Sequence, residues 1–186
     1  MRFRRVRLRA PARLLPELRD FYERIDTGET ELEFEAGAGE PFYHFAFLAS
    51  PERLDELASG SEVFDFPDWE ARAFYFEDPA GNIVELVAHQ GLAGPLGLSE
   101  LGLVGDTAAM AAELHRLGLE LWDGTLDEQH LAFLGERGRT LILAPTGRGW
   151  MPTGRPAEPH PVEAELSGAR PGAVELEDGL YRITAV

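Results

Sequence analysis

Apolar and polar residues alternate at the N-terminus, where Val6, Leu8 and Ala10 are interleaved with Arg5, Arg7 and Arg9, so residues 2–9 read as a half-buried strand. Leu18, Phe21, Tyr22 and Ile25 then recur at helical spacing. With Pro16 suited to a first turn, a helix is predicted over about 16–24. Thr30 to Phe34 alternates again and predicts a strand. Residues 42–49 (FYHFAFLA) predict a strongly apolar, aromatic one. Ser50-Pro51-Glu52 has the chemistry of a helix start, with a capping hydroxyl, a proline at the first position and an acid in the first turn. That helix should run to about Ala58 and stop at Gly60. Residues 71–89 hold two alternating strands around Asp78-Pro79-Ala80-Gly81, a hairpin in which proline presets φ and glycine takes the left-handed position.

Residues 91–97 are rich in Gly and Pro and read as a linker, after which the pattern restarts. A strand is predicted over 99–104. Asp106 caps a helix carrying Met110, Leu114 and Leu117 and ending at Gly118. Residues 130–135 and 140–144 form a second hairpin around Glu136-Arg137-Gly138. The stretch 145–161 is irregular, and two or three short strands finish the chain, with Asp178-Gly179 as a turn.

Strand, helix and hairpin thus recur about three times, over 2–34, 42–88 and 98–144. A βαβββ unit has an open edge and an uncovered face, and pairing two units leaves a concave sheet suited to a ligand. The expected fold is therefore α+β, βαβββ modules forming a curved, cup-like mixed sheet. The expected division is a two-module unit over 1–92, its first module shortened, and a third module with a C-terminal strand extension over 93–186. An odd number of modules leaves one face unpaired, so the third should pack on the first two or pair with a second copy in a homodimer.

Composition narrows the chemistry. Apolar residues make up 44 % of the 186, enough for a core, and no apolar run approaches the ~18 residues of a membrane span. The basic N-terminus lacks the unbroken apolar stretch of a signal peptide. A net charge of −16 opposes nucleic-acid binding. The absence of Cys removes disulfides, thiolate nucleophiles and Cys zinc sites, and is compatible with a cytoplasmic protein. All 17 basic residues are Arg, so Schiff-base and P-loop lysines are also excluded.

FYHFAF followed by a proline-started helix, and FYFEDPAGNIVEL roughly thirty residues later, resemble the signature of the vicinal oxygen chelate (VOC) superfamily, the glyoxalase/bleomycin-resistance/ring-cleavage dioxygenase group. The second segment is similar to that family's F-x-D-P-x-G-N-x-x-E-L ending. The resemblance covers residues 42–88 well. It extends more loosely to the N-terminal RVRL strand with its DFYERI helix end and to SELGLV through LILAPTGRGWMPT, and leaves out the last thirty-odd residues.

The resemblance implies a cup with a divalent metal inside, held by residues from the first and last strands of the modules. His44 and Glu85 fall on two such positions, and imidazole with carboxylate suits Zn, Mn, Fe, Co or Ni. The first strand places Arg5 where the family often has His, and Arg is not a usable ligand. Glu100 holds the equivalent position in the third repeat and would complete a His/Glu/Glu set, as a third ligand or a base, with Glu85 also in a catalytic role. Ile142 stands where a further carboxylate would be. The competing reading of His44 and Glu85 is a buried hydrogen-bonded pair without metal. Tyr43, Trp69, Tyr75 and Trp150 lie near or between the cup strands as substrate contacts or as packing, and Arg72 could receive an anionic group, as could Arg148. Asn82, after the turn glycine, reads as structural. Three functions stay open. The first is a metal-dependent lyase, isomerase, dioxygenase or transferase acting on a small molecule with vicinal oxygens. The others are a metal-free small-molecule binding protein of the bleomycin-resistance type and an interaction module.

Overall fold

A computed structural model of the chain describes residues 1–25, 27–92 and 97–186. Most of the linker expected over 91–97 lies outside them. The first segment runs β1 (Arg2–Ala10), α1 (Leu15–Tyr22) and β2 (Glu31–Ala36). The second runs β3 (His44–Leu48), α2 (Pro51–Leu57), β4 (Phe64–Phe66), β5 (Ala71–Glu77) and β6 (Ile83–His89). The third runs β7 (Gly97–Val104), α3 (Thr107–His115), β8 (Leu121–Gly124), β9 (Ala132–Glu136) and β10 (Arg139–Ala144). The chain ends with the short pair β11 (Gly149–Trp150) and β12 (Arg155–Pro156), then β13 (Val162–Ser167), β14 (Gly172–Leu176) and β15 (Tyr181–Ala185).

Eight strands form one curled mixed sheet in the order β4-β5-β6-β3-β7-β10-β9-β8. Its halves come from the second and third repeats, joined where β3 runs antiparallel to β7. The first repeat contributes β1 and β2 to a second, five-stranded sheet, order β14-β15-β13-β1-β2, whose other strands are the C-terminal extension. Each sheet therefore draws strands from both sides of residue 92. The third repeat packs within the chain, and the extension supplies the strands that complete the first.

The two sheets stack through one apolar layer. Val6 and Leu8 of β1, Leu166 of β13 and Ile183 of β15 meet Phe45 and Phe47 of β3, Leu101 and Leu103 of β7 and Leu141 and Leu143 of β10. Each comes from an alternating strand, so the partner residues of the eight-stranded sheet face its opposite, concave side. In β1 the alternation shifts at a bulge between Phe3 and Arg5, which leaves Arg4 and Arg5 both exposed. The N-terminal arginines do not face solvent alone. Arg7 lies 3.0 Å from both Glu33 and Glu163, and Arg9 lies 3.1 Å from Glu163, across strands. Such half-exposed pairs each contribute little, and mainly fix register.

Both main caps form as the sequence implies: Ser50 Oγ accepts from Arg53 N at 3.2 Å, and Asp106 Oδ1 accepts from Ala109 N at 3.0 Å. The strands β4 and β8 were not anticipated; both are short and edge-lying, with half-exposed residues that blur the alternation. No helix among the described residues is long and apolar enough to cross a membrane. Two buried tyrosines stitch the layers. Tyr43 Oη accepts from Arg9 N at 3.0 Å and donates to Pro161 O at 2.9 Å. Tyr181 Oη accepts from Val104 N at 3.0 Å and donates to Val104 O at 2.8 Å. Tyr181→Phe leaves two buried backbone groups unpaired and is expected to lower stability by about 1–3 kcal/mol in urea denaturation; an unchanged midpoint would contradict the stitch.

Candidate metal centre

The DPAGN turn that the sequence singles out does local work first. Asp78 Oδ1 accepts from the backbone N–H of Ala80 and of Asn82, and Asp78 Oδ2 accepts from Asn82 Nδ2 at 2.7 Å. Gly81 takes φ +74°, which a side chain would resist. The turn aims Asn82 Oδ1 at Tyr43 N, 2.8 Å away, and Ile83 N bonds Tyr43 O at 2.8 Å. This pins the start of β3 to the start of β6, and so fixes where His44 stands. Asn82 is structural, as its place in the turn implied.

His44, Glu85 and Glu100 then converge by register. Ala46 is the cross-strand partner of Glu85 on one side and of Glu100 on the other. Its methyl group leaves the two carboxylates facing one another over the floor of the cup, with His44 two residues along the same face. The three side chains offer ligand atoms that all lie within 4.8 Å of one another. They are 3–6 % exposed.

The hydrogen bonds fix how each is presented. His44 Nδ1 lies 3.2 Å from Ile83 O. A carbonyl only accepts, so Nδ1 carries the proton and Nε2 presents a lone pair, 3.6 Å from Glu85 Oε2. Burial, with the charge of Arg148 adding to it, lowers the His44 pKa to about 4, so the pair is not an ion pair near neutral pH. Burial, and then the charge of Glu100, raise Glu85 well above the usual carboxylate range, and a hydrogen bond from Tyr75, its partner on β5, acts the other way. Burial pushes Glu100 up to about 7. Two carboxylates and an imidazole lone pair thus share one buried space, an arrangement stable only when a carboxyl is protonated or a cation is shared.

These donors fit a divalent ion. Ligand distances of ~2.0–2.2 Å separate neighbouring ligand atoms by about 3–4 Å, and the His44–Glu85 spacing already falls there. Nδ1 bonded to a carbonyl is the usual support of a ligating imidazole. Ile142, paired with Gly102, offers no donor at the remaining corner.

The other residues singled out in the sequence divide into two groups. Tyr75 reaches Glu85, and its ring lies 6.3 Å from that of His44. Trp150 is buried with its ring 4.8 Å from His44, above Gly102, where an added Cβ would come within 2.8 Å of the indole and 3.1 Å of His44 O. Trp69 lies at the mouth. It packs on Phe133 and Trp122, donates to Asp123, and so links the two edges of the curled sheet. Tyr43 and Arg72 are not brought to the site. Tyr43 points into the layer between the sheets, since it alternates with His44. Arg72 lies on the outer face, 2.9 Å from Asp55. Arg148, beside Trp150, is near enough for its charge to act on His44. The sequence reading missed Trp122 and Thr140. The alternation of Thr140 with Ile142 and Ala144 on β10 was the available signal.

No family model and no curated protein matches this sequence. Solved structures do. A mutant of glyoxalase I from Zea mays is similar with a TM-score of 0.56 at 16 % identity, over 88 % of this chain and 75 % of that one. Glyoxalase I from Zea mays itself gives 0.54 at 15 % identity, over 88 % and 74 %. A protein from Bacillus subtilis, named only provisionally as a dioxygenase, gives 0.54 at 14 % identity, over 100 % and 85 %. The fold is that of the vicinal oxygen chelate proteins. Within this VOC fold, one half of the curled sheet supplies His44 and Glu85 and the other supplies Glu100.

Two outcomes follow. Gly102→Ala displaces Trp150 or β3 and is expected to cost roughly 1–3 kcal/mol, read as a lowered melting temperature with a change in tryptophan emission. The second concerns pH. Between the ordinary value of 4.5 and about 7, the folded metal-free protein keeps a proton on Glu100 that the unfolded chain has lost. Stability contributed this way is present below the lower value and is lost as pH rises through the upper. Chelator-treated protein should therefore lose roughly 2–3 kcal/mol between about pH 5.5 and about pH 8. Glu100→Gln should flatten that slope; an unaltered slope would assign the titration to other groups.

Proposed function

We propose that this protein binds one divalent metal ion through His44 Nε2, Glu85 and Glu100 and acts on a small molecule that presents two vicinal oxygens. The observation that carries the reading is the convergence of one imidazole lone pair and two buried carboxylates, with an apolar Ile142 at the fourth corner. Three protein donors leave positions for ligand oxygens. A metal of the Zn, Mn, Fe, Co or Ni type, when bound, supplies Lewis-acid stabilisation of negative charge developing on those oxygens. Burial raises Glu100 to about 7 in the metal-free protein, and a bound cation would hold it ionised. Glu100 therefore serves either as the third ligand or, off the metal, as a base that takes a proton from the substrate, with Glu85 beside Tyr75 also in a catalytic role. The aromatic faces of Tyr75, Trp69 and Trp150 exclude water and contact the substrate body. The small-molecule chemistry named for glyoxalase I is consistent with an isomerase or lyase. The provisional dioxygenase name of the Bacillus subtilis protein is consistent with an oxygenase.

One observation favours a second reading, a metal-free binding protein. Trp150 lies against His44, and Phe133, Ile142 and Trp150 belong to one apolar cluster inside the cup. In that reading a protonated Glu85 or Glu100 donates to a neutral ligand held among the indoles.

Elemental mass spectrometry of tag-free protein separates the two. Wild type should carry near-stoichiometric metal, with His44→Ala and Glu100→Gln each reducing occupancy at least about ten-fold. A wild type that stays empty after dialysis against Zn, Mn, Ni and Fe(II) would end the metal reading in favour of the second.

A further inference from the structure

The eight-stranded sheet is curled but not closed. Its order ends at β4 on one side and β8 on the other, and these two end strands do not pair with each other. Side chains span the gap instead. Trp69, from the single helical turn Pro67–Trp69 between β4 and β5, donates through Nε1 to Asp123 of β8. Its ring lies 5.2 Å from that of Trp122 and 4.6 Å from that of Phe133. The next residue, Glu70, is bound by Arg137 of the β9–β10 turn at 3.1 Å, and a second Arg137 nitrogen donates to Gln90 O at 2.9 Å. Two neighbouring residues of one half, Trp69 and Glu70, are thus clasped by two residues of the other.

The clasp covers the candidate site. Trp69, Phe66 and Tyr75 pack on the floor formed by Ala46, Ala71, Ala73 and Val87. Ala46 stands between Glu85 and Glu100, and both acids and His44 are buried. The shut arrangement also carries its own opposition. Glu70 holds φ +48°, a left-handed conformation that a side chain disfavours. Gln90 N, bonded to the Glu70 carbonyl at 2.7 Å, keeps it there. Trp122 Nε1 is buried without an acceptor among the described residues, a cost that contact with water relieves. The Arg137–Glu70 tie is half-exposed and therefore weak. Residues 67–70 lie between strands, so their release breaks no pairing in the sheet.

We propose that residues 67–70 are a latch that gates the space holding His44, Glu85 and Glu100. It opens when Trp69 leaves Asp123 and Glu70 leaves Arg137, which lifts the indole from the floor while the eight strands stay paired. Shut, it keeps water from the acids; open, it admits a ligand. The latch serves any occupant of the cup, whether a metal with its substrate or a neutral ligand.

The test is the rate at which diethyl pyrocarbonate carbethoxylates His44 in chelator-treated protein, read by peptide mass spectrometry. The reagent must enter the cup to reach the ring. Exposed His115 and His130 calibrate the reagent. His160, half-buried beside Phe42 and Tyr43, reports general loosening. Asp123→Ala and Arg137→Ala should each raise the His44 rate, and together by at least about ten-fold, with the other three rates unchanged. Asp123→Asn keeps an acceptor for Trp69 and should stay near wild type. An unchanged His44 rate in the double variant, or a His160 rate that rises in step with it, would overturn the latch. So would acceleration in Trp150→Phe without acceleration in the latch variants, which would put the entrance beside Trp150 instead. No metal takes part in the measurement. Failure here leaves the metal reading untouched, and an empty metal site leaves the latch standing.

Discussion

Glu85 and Glu100 face each other across Ala46 on the floor of a buried cup, and two carboxylates so placed cannot both ionise without a cation. Their position is set by the junction of β3 with β7, the seam where the second and third repeats become one curled sheet. On its outer side the seam carries Phe45, Phe47, Leu101 and Leu103, the centre of the apolar layer that holds the five-stranded sheet. On its inner side it carries the acids and His44. The same pairing therefore forms the core and the candidate site, and strand alternation keeps the two apart.

Everything around the acids limits how their charge can be relieved. His44 is held neutral with its lone pair inward, because Nδ1 is committed to a backbone carbonyl. Tyr75 supplies one hydrogen bond to Glu85. The rest of the lining is aromatic or small, with Trp150 seated over Gly102 and Trp69 joining the sheet edges at the mouth. A site so dry raises the carboxyl pKa values and magnifies the gain from a bound cation. It also means that Trp150 stands where a ligand would approach His44.

The five-stranded sheet holds the seam from behind. Tyr43 and Tyr181 tie backbone groups of the two layers together, and the Arg–Glu ladder on its outer face fixes the register of β1. This answers how three repeats, an odd number, close within one chain: the C-terminal extension supplies the strands that complete the first repeat.

Much of this was legible locally. The period of two in the first strand, the Ser50 and Asp106 caps and the DPAGN turn depend on residues close in sequence, where sterics and hydrogen bonding act directly. Which residues share a space was not legible. Tyr43 neighbours His44 in sequence yet points to the other face, and Arg72 stands between the inward-facing Ala71 and Ala73 yet pairs with Asp55 outside. The amino-acid sequence by itself determined the modules, their turns and the candidate donor atoms. Only the tertiary structure decided that the second and third repeats share one sheet, that Trp150 closes over Gly102, and that two acids meet across Ala46. Those outcomes depend on pairings between strands far apart in the chain, whose register is set by packing over the whole sheet rather than by any local pattern.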